Sequence, residues 1–373
     1  MIATPNDLAR RRLTAQHLSS PRRDGPHGVV AWFGAMQAQD YGLARWSVAQ
    51  RLAGGTAAAV EAAMAEGSIL RAHVLRPTWH FVPRDDLRWM QATTASRVRA
   101  LLAYNDRRNG VDDRTVARST KAIARALERR GHLTRAEIAR AIEAAGIAAD
   151  AWMVSQLVIH AELQGVVCSG APRGRQQTYA LVDERAPRSR QLSGDEALAE
   201  LARRYFRSHG PATVKDFRWW SGLDAPRAAR AVAALGSRFE TVAAGDRAYL
   251  FDPAAAPPAR RVVSLFQSFD EIVVAYSESR DIVDASGDAR ARKWSLLVPG
   301  VMIDGQLAGR WAAKAEGRQR RVVVEPLRRW TAAERAAVDR AVGRFRETTW
   351  PVEDCTDRGP YRSRSTRRPC RSS

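Results

Sequence analysis

At 373 residues and 45% hydrophobic composition the chain can form two or three domains with sizeable cores, and no apolar run approaches the roughly 18 residues of a membrane span. The formal net charge of +20, carried almost entirely by arginine, favours a polyanionic partner, because each phosphate contacted releases condensed counterions. The start MIATPNDLARRRL lacks the apolar stretch of a signal peptide, and Cys168, Cys355 and Cys370 form no CxxC pair, so a cytoplasmic protein with reduced thiols, no metal and no cofactor is expected.

The first hundred residues carry helical patterns at 8–18, 28–36, 43–52 and 57–66, followed by the β-like run ILRAHVLRPTWHFVP. The middle of the chain is more regular: ARSTKAIARALERRG, LTRAEIARAIEAAG and AWMVSQLVIHAELQG each place apolar residues three and four apart. Thr134 with Glu137 makes a capping box that starts the second of these helices. After Gly165 the period changes to two, and VVCSGAPRGRQQTYALV reads as a hairpin with a basic tip. Three helices and a hairpin describe a winged helix-turn-helix, with 152–163 in the recognition-helix place and 173–177 at the wing tip. EALAELARRYFRSHG, TVKDFRWWSG, APRAARAVAALG and the pair FETVAAG and RAYLFD repeat that order, and the N-terminus is a looser copy. Trp219 and Trp220, at the end of a helix in such a unit, are assigned to its core.

Beyond residue 259 the β-like runs RRVVSLF, EIVVAY, GVMIDGQLAGRW and RRVVVEP accompany one amphipathic helix, WTAAERAAVDRAVGRFRE. The predicted fold is therefore α+β, mainly α. Three tandem winged helix-turn-helix units at 1–100, 101–190 and 191–258 precede a small C-terminal α/β cap at 259–350, and the aperiodic Arg, Ser and Pro-rich stretch 351–373 is expected to be a disordered basic tail. Three copies with basic wings in one basic chain point to double-stranded DNA, with Arg173, Arg175 and Gln176 on the middle wing as candidate contacts. No membrane association is expected, and a monomer is.

Standard catalytic equipment is missing: there is no GxSxG elbow, no P-loop, no GxGxxG after a strand and no HExxH. An enzyme built from these residues must run a reaction that needs little beyond placed water and a good leaving group. In AMQAQDYGLARW, Gln37 and Gln39 flank one small residue and adjoin Asp40. Residues two apart share a face only in an extended segment, so if the helix ends near Met36 both amides point one way. Neutral amides both donate and accept, and could hold a water and shield developing positive charge; in an arbitrary QxQ they would instead satisfy backbone groups at a helix end. Asp40 is a rival as general base, and His80 is a candidate site-lining residue, although a lone histidine there is more often packed.

Several segments in order resemble the AlkZ-type DNA glycosylases, a winged-helix family related to YcaQ: Gln37-Ala38-Gln39, LRPTWHFV (75–82), RQQTYALVDE (175–184), SFDEIVVAY (268–276) and GVMIDGQLAGRW (300–311). The resemblance runs from about residue 8 to 350. It implies a monofunctional glycosylase that hydrolyses the N-glycosidic bond of N7-alkylated purines, bulky adducts and interstrand crosslinks included, in DNA repair or self-resistance to alkylating natural products. It makes Gln37 and Gln39 the catalytic pair, and the glutamine at the second position, where YcaQ-like members carry aspartate, sorts the chain with the AlkZ branch. One departure stands out: Arg76-Pro77-Thr78-Trp79-His80 replaces the Arg-Gly-Thr-x-His run the resemblance implies, so the local backbone is expected to differ. The alternative to catalysis is a non-catalytic winged-helix DNA binder, either a transcription regulator or an adduct-binding protector. Excision that relies on neutral amides should vary little between pH 6 and 8.

Overall fold

A computed structural model describes residues 4–174, 176–257, 261–316 and 319–349. A reciprocal capping box between Thr4 and Asp7 starts α1 (Pro5–Ala15), and α2 (Gly25–Phe33) follows. Gly34, at φ 82°, takes the chain out of α2 in a conformation that costs a β-carbon dearly, and leads into the two-residue strand β1 (Met36–Gln37). Asp40 caps α3 (Tyr41–Ala49), and α4 (Ala57–Glu66) precedes a hairpin of β2 (Ile69–His73) and β3 (Trp79–Pro83). The run ILRAHVLRPTWHFVP is thus two strands, folded back at Leu75, whose φ is 61°. The strand order is β1-β3-β2, with Gln37 opposite His80.

The 22-residue helix α5 (Leu87–Arg108) was not legible as a helix, and the expected boundary after residue 100 falls inside it. Thr93 and Thr94 occupy buried positions by returning their hydroxyls to the carbonyls of Trp89 and Met90, which blurs the apolar period. Next come α6 (Asp113–Arg130), β4 (Leu133–Thr134), α7 (Arg135–Ala144), α8 (Ala151–Leu163), β5 (Val167–Ser169) and β6 (Thr178–Leu181), then the single turn α9 (Val182–Arg185). The Thr134–Glu137 capping box forms as predicted. A third set comprises α10 (Gly194–His209), α11 (Val214–Ser221), α12 (Ala225–Ala233), β7 (Glu240–Ala244) and β8 (Arg247–Phe251). The three sets share one topology: a short strand or bridge after a helix pairs with the second strand of the hairpin, as β1 with β3, β4 with β6, and Ala212 with Leu250 of β8.

The C-terminal region contains β9 (Val263–Phe266), α13 (Glu271–Val274), α14 (Asp288–Ala291), β10 (Gly300–Ile303), β11 (Gln306–Glu316), β12 (Gln319–Pro326) and α15 (Ala332–Thr349). Its antiparallel sheet runs β12-β11-β10-β9. EIVVAY, expected as a strand, is instead the turn of helix α13: the Asp270 carboxylate accepts the Ile272 N–H, and Glu271 to Val274 are all buried, so no alternation marks the backbone state. The region is more than a cap. Leu8 and Leu13 of α1 share a core with Phe266 and Met302, and Trp46 of α3 packs edge-on against Phe345 of α15 at 5.1 Å. Each such side chain contributes roughly 1.5–3 kcal/mol on burial. The predicted disordered tail, 351–373, lies outside the described residues.

Candidate active site

The site begins where β1 ends. Gln37 is nearly enclosed, at 4% exposure, whereas the chain bends at Gln39 and brings that residue to the surface. Neither lies on a helix. The Gln37 backbone N–H donates to Glu271 Oε1 at 2.6 Å, and Arg76 Nη2 donates to Gln37 Oε1 at 2.8 Å. A guanidinium only donates, so this contact fixes which way the amide faces. Among the described residues Nε2 of Gln37 then has no hydrogen-bond partner.

Arg76 is delivered by the β2–β3 turn, and Gly222 makes room for it. That glycine, at φ 69° at the end of α11, lies so close to the turn that a β-carbon would come within 2.2 Å of the Leu75 carbonyl oxygen. The backbone around Gln39 is held from the other side. Arg71 donates from Nε to the Ala38 carbonyl at 3.0 Å and from Nη2 to the Gln39 carbonyl at 3.5 Å, while its guanidinium lies 4.2 Å from the centre of the Trp79 ring. Trp79 N–H donates to Gln39 Oε1 at 3.3 Å, and Ala38 N–H to the Trp79 carbonyl at 2.7 Å. Burial pushes Arg71 down to about 10 and also lowers Arg76, where the nearby Glu271 carboxylate opposes the effect; both stay cationic at neutral pH. Glu271 Oε2 pairs in turn with His209 Nε2 at 3.1 Å.

Asp40, the rival base, is committed elsewhere: its Oδ1 accepts the Leu43 N–H at 3.0 Å as the N-cap of α3. His80 is closed off at 0% exposure, with Nδ1 donating to the Thr78 carbonyl at 2.8 Å. Burial, reinforced by Arg76, holds its pKa well below 6.5, so the ring is neutral and packed beneath the strand. Trp220 is buried as expected, but the assignment of Trp219 to the core is corrected: it is 46% exposed, donates Nε1 to the Val274 carbonyl at 2.9 Å and lies 5.5 Å from the Arg76 guanidinium. On the wing, Arg173 bonds Glu137 at 3.1 Å and the His132 carbonyl at 2.6 Å, and Gln176 is exposed; Arg175 lies outside the described residues. Arg71, Arg76 and Glu271 are the site residues that sequence reasoning missed. Two of them sit inside segments already singled out, LRPTWHFV and SFDEIVVAY, and that proximity was the available signal.

The family model described as DNA glycosylase AlkZ-like matches residues 30–348. The chain belongs to the AlkZ-like DNA glycosylase family. It is accordingly a DNA glycosylase, a hydrolase of N-glycosyl bonds. An interstrand DNA cross-link repair glycosylase of Streptomyces sahachiroi is 24% identical over 324 residues, spanning 80% of this chain and 85% of that protein. The solved structure of the Streptomyces sahachiroi DNA glycosylase AlkZ superposes with a TM-score of 0.75 at 22% identity, covering 94% of this chain and 97% of that one, so the two share a fold. Among the described residues no group of three or more His, Cys, Asp or Glu could hold a metal ion, and no helix is long and apolar enough to cross a membrane.

Proposed function

We propose that this glycosylase excises N7-alkylated purines from duplex DNA, with Gln37 and Gln39 as its catalytic residues. The supporting observation is the Arg76 contact, which turns the Gln37 amide so that its N–H groups are free beside the exposed Gln39. Alkylation at N7 leaves the purine positively charged and makes it a good leaving group. The remaining barrier lies in supporting an oxocarbenium-like sugar and delivering water to its anomeric carbon, which placed neutral amides do without a strong base.

The repeated topology supports reading the chain as three consecutive winged helix-turn-helix units followed by 259–350, with the first boundary moved from residue 100 to the end of α5 at Arg108 and the units presenting a DNA-binding surface. Arg173, Arg175 and Gln176 are proposed as DNA contacts on the middle wing. Arg173 also pairs with Glu137 of α7, which ties that end of the loop to the helix. The name of the Streptomyces relative, an interstrand DNA cross-link repair glycosylase, supports crosslinked adducts as substrates; bulky adducts, and self-resistance to alkylating natural products as the setting, are part of the same proposal. The protein would act as a monomer on the cytoplasmic nucleoid.

A panel of duplexes carrying 7-methylguanine, a bulky N7-guanine adduct or an N7 interstrand crosslink tests this reading. Release of the modified base, followed by alkali cleavage at the abasic site, is expected for at least the bulky adduct. Release of none of the three contradicts it.

A further inference from the structure

The two tryptophans at the end of α11 are treated oppositely by the fold. Trp220 has no exposure, whereas Trp219, one residue earlier, is 46% exposed. The exposed large apolar side chains among the described residues are Leu101, Tyr104, Trp152, Trp219 and Leu297, and of these Trp219 is the one tied to the candidate site. The same two pieces of structure hold it and Gln37. Arg76 lies 5.5 Å from the indole and donates to Gln37 Oε1, while α13 supplies the Val274 carbonyl that pins the indole N–H and the Glu271 carboxylate that takes the Gln37 N–H. With its N–H satisfied and the Arg76 guanidinium 5.5 Å from the ring centre, the indole is held in one orientation and leaves the rest of its flat surface in solvent.

Resting on the functional reading above, we propose that Trp219 is the lesion platform of the site, receiving the flat π-surface that an N7-alkylated purine brings. That surface is either the cationic purine ring or an aryl group carried on N7. Indole faces attract cations more strongly than other aromatic side chains do, and an N7-alkylated purine keeps its charge only while the glycosidic bond is intact. The platform therefore favours substrate over released base. Every base has a π-face, so stacking gives affinity without demanding a particular adduct.

The test uses Trp219→Leu and Trp219→Phe in the full chain, with duplexes carrying either 7-methylguanine or N7-benzylguanine. Single-turnover excision and the ratio of affinities for damaged and unmodified duplex are both measured. Trp219→Leu is expected to lose about tenfold in excision and most of its preference for damaged DNA, with affinity for unmodified duplex and melting temperature unchanged. Trp219→Phe should retain both within about threefold, because a smaller aromatic face remains. Loss on both substrates assigns the purine ring to the platform, and loss on the benzyl adduct alone assigns the substituent. A leucine variant equal to wild type, or a phenylalanine variant as impaired as the leucine one, overturns the proposal. The affinity ratio needs no chemistry, so a wild type that binds damage through Trp219 yet releases no base would refute the excision reading and leave this one standing.

Discussion

Arg76 fixes the amide orientation of a residue 39 positions away in sequence, and that separation explains why it escaped notice in the chain. Its role is testable. Arg76→Ala frees the Gln37 amide to rotate, and the loss of a charge-assisted hydrogen bond is expected to slow single-turnover excision roughly 10- to 100-fold. Arg76→Lys should not restore the rate, because a flexible ammonium does not reproduce the fixed fork of a guanidinium. The pH response follows from the buried histidines. His80 sits well below 6.5, burial lowers His209 despite Glu271, and burial lowers His17 to about 4, so these rings stay neutral in the folded protein where the unfolded chain would protonate them. The unfolded state then binds more protons below pH 6.5, so stability falls as pH drops from 6.5 towards 4 while excision stays nearly flat from pH 6 to 8. Urea midpoints and excision rates across that range check both halves, and a steep rise in excision between pH 6 and 8 would implicate a titrating group instead. The non-helical backbone at Gln37 and Gln39 was legible because the signal is local; the contact of Glu271 with Gln37 across 234 positions was not. The exposure of Trp219 was hidden for another reason: about 100° of helix rotation separates it from Trp220, and the residue types are identical.

At the level of elements, the contact that seats α13 is the best target. Arg51, just beyond α3, grips Asp270 through two bonds of 2.6 and 3.0 Å, both side chains being at 0% exposure, and it also holds the Gln16 side chain. Burial alone would raise Asp270, but the adjacent guanidinium reverses the effect and lowers it. Arg51→Ala leaves that carboxylate buried without its cation and is expected to cost about 3–5 kcal/mol in denaturant unfolding, while displacing Glu271 one residue along. Asp40→Ala, by contrast, removes only the α3 cap. It should cost about 1 kcal/mol and leave excision within a few-fold of wild type, whereas a loss comparable to that of a catalytic residue would reinstate Asp40 as the base. Helices with strong periodicity and explicit caps, such as α6 and α7, could be read from the chain. The helix α5 and the fully buried turn α13 could not, because Thr93 and Thr94 put polar residue types on the buried side of α5 and α13 has no exposed face to set a period.

For the whole molecule, the net charge of +20 and the order of helices and hairpins in the middle of the chain were visible before the fold, whereas the docking of the C-terminal sheet onto α1 and α3 depends on packing between distant segments. The charge predicts that the logarithm of duplex affinity falls linearly with the logarithm of salt concentration. Arg175→Gln should reduce the magnitude of that slope by about one if the wing tip meets a phosphate, and an unchanged slope would remove Arg175 from the interface. At the centre of the proposed mechanism are two side-chain amides that support hydrolysis. The most direct measurement is single-turnover release of an N7-alkylguanine from duplex DNA by wild type, Gln37→Ala and Gln39→Ala, with affinity for the same duplex measured in parallel. Each substitution is predicted to slow release about 10²- to 10³-fold with affinity nearly intact, and release by both variants at the wild-type rate would contradict it.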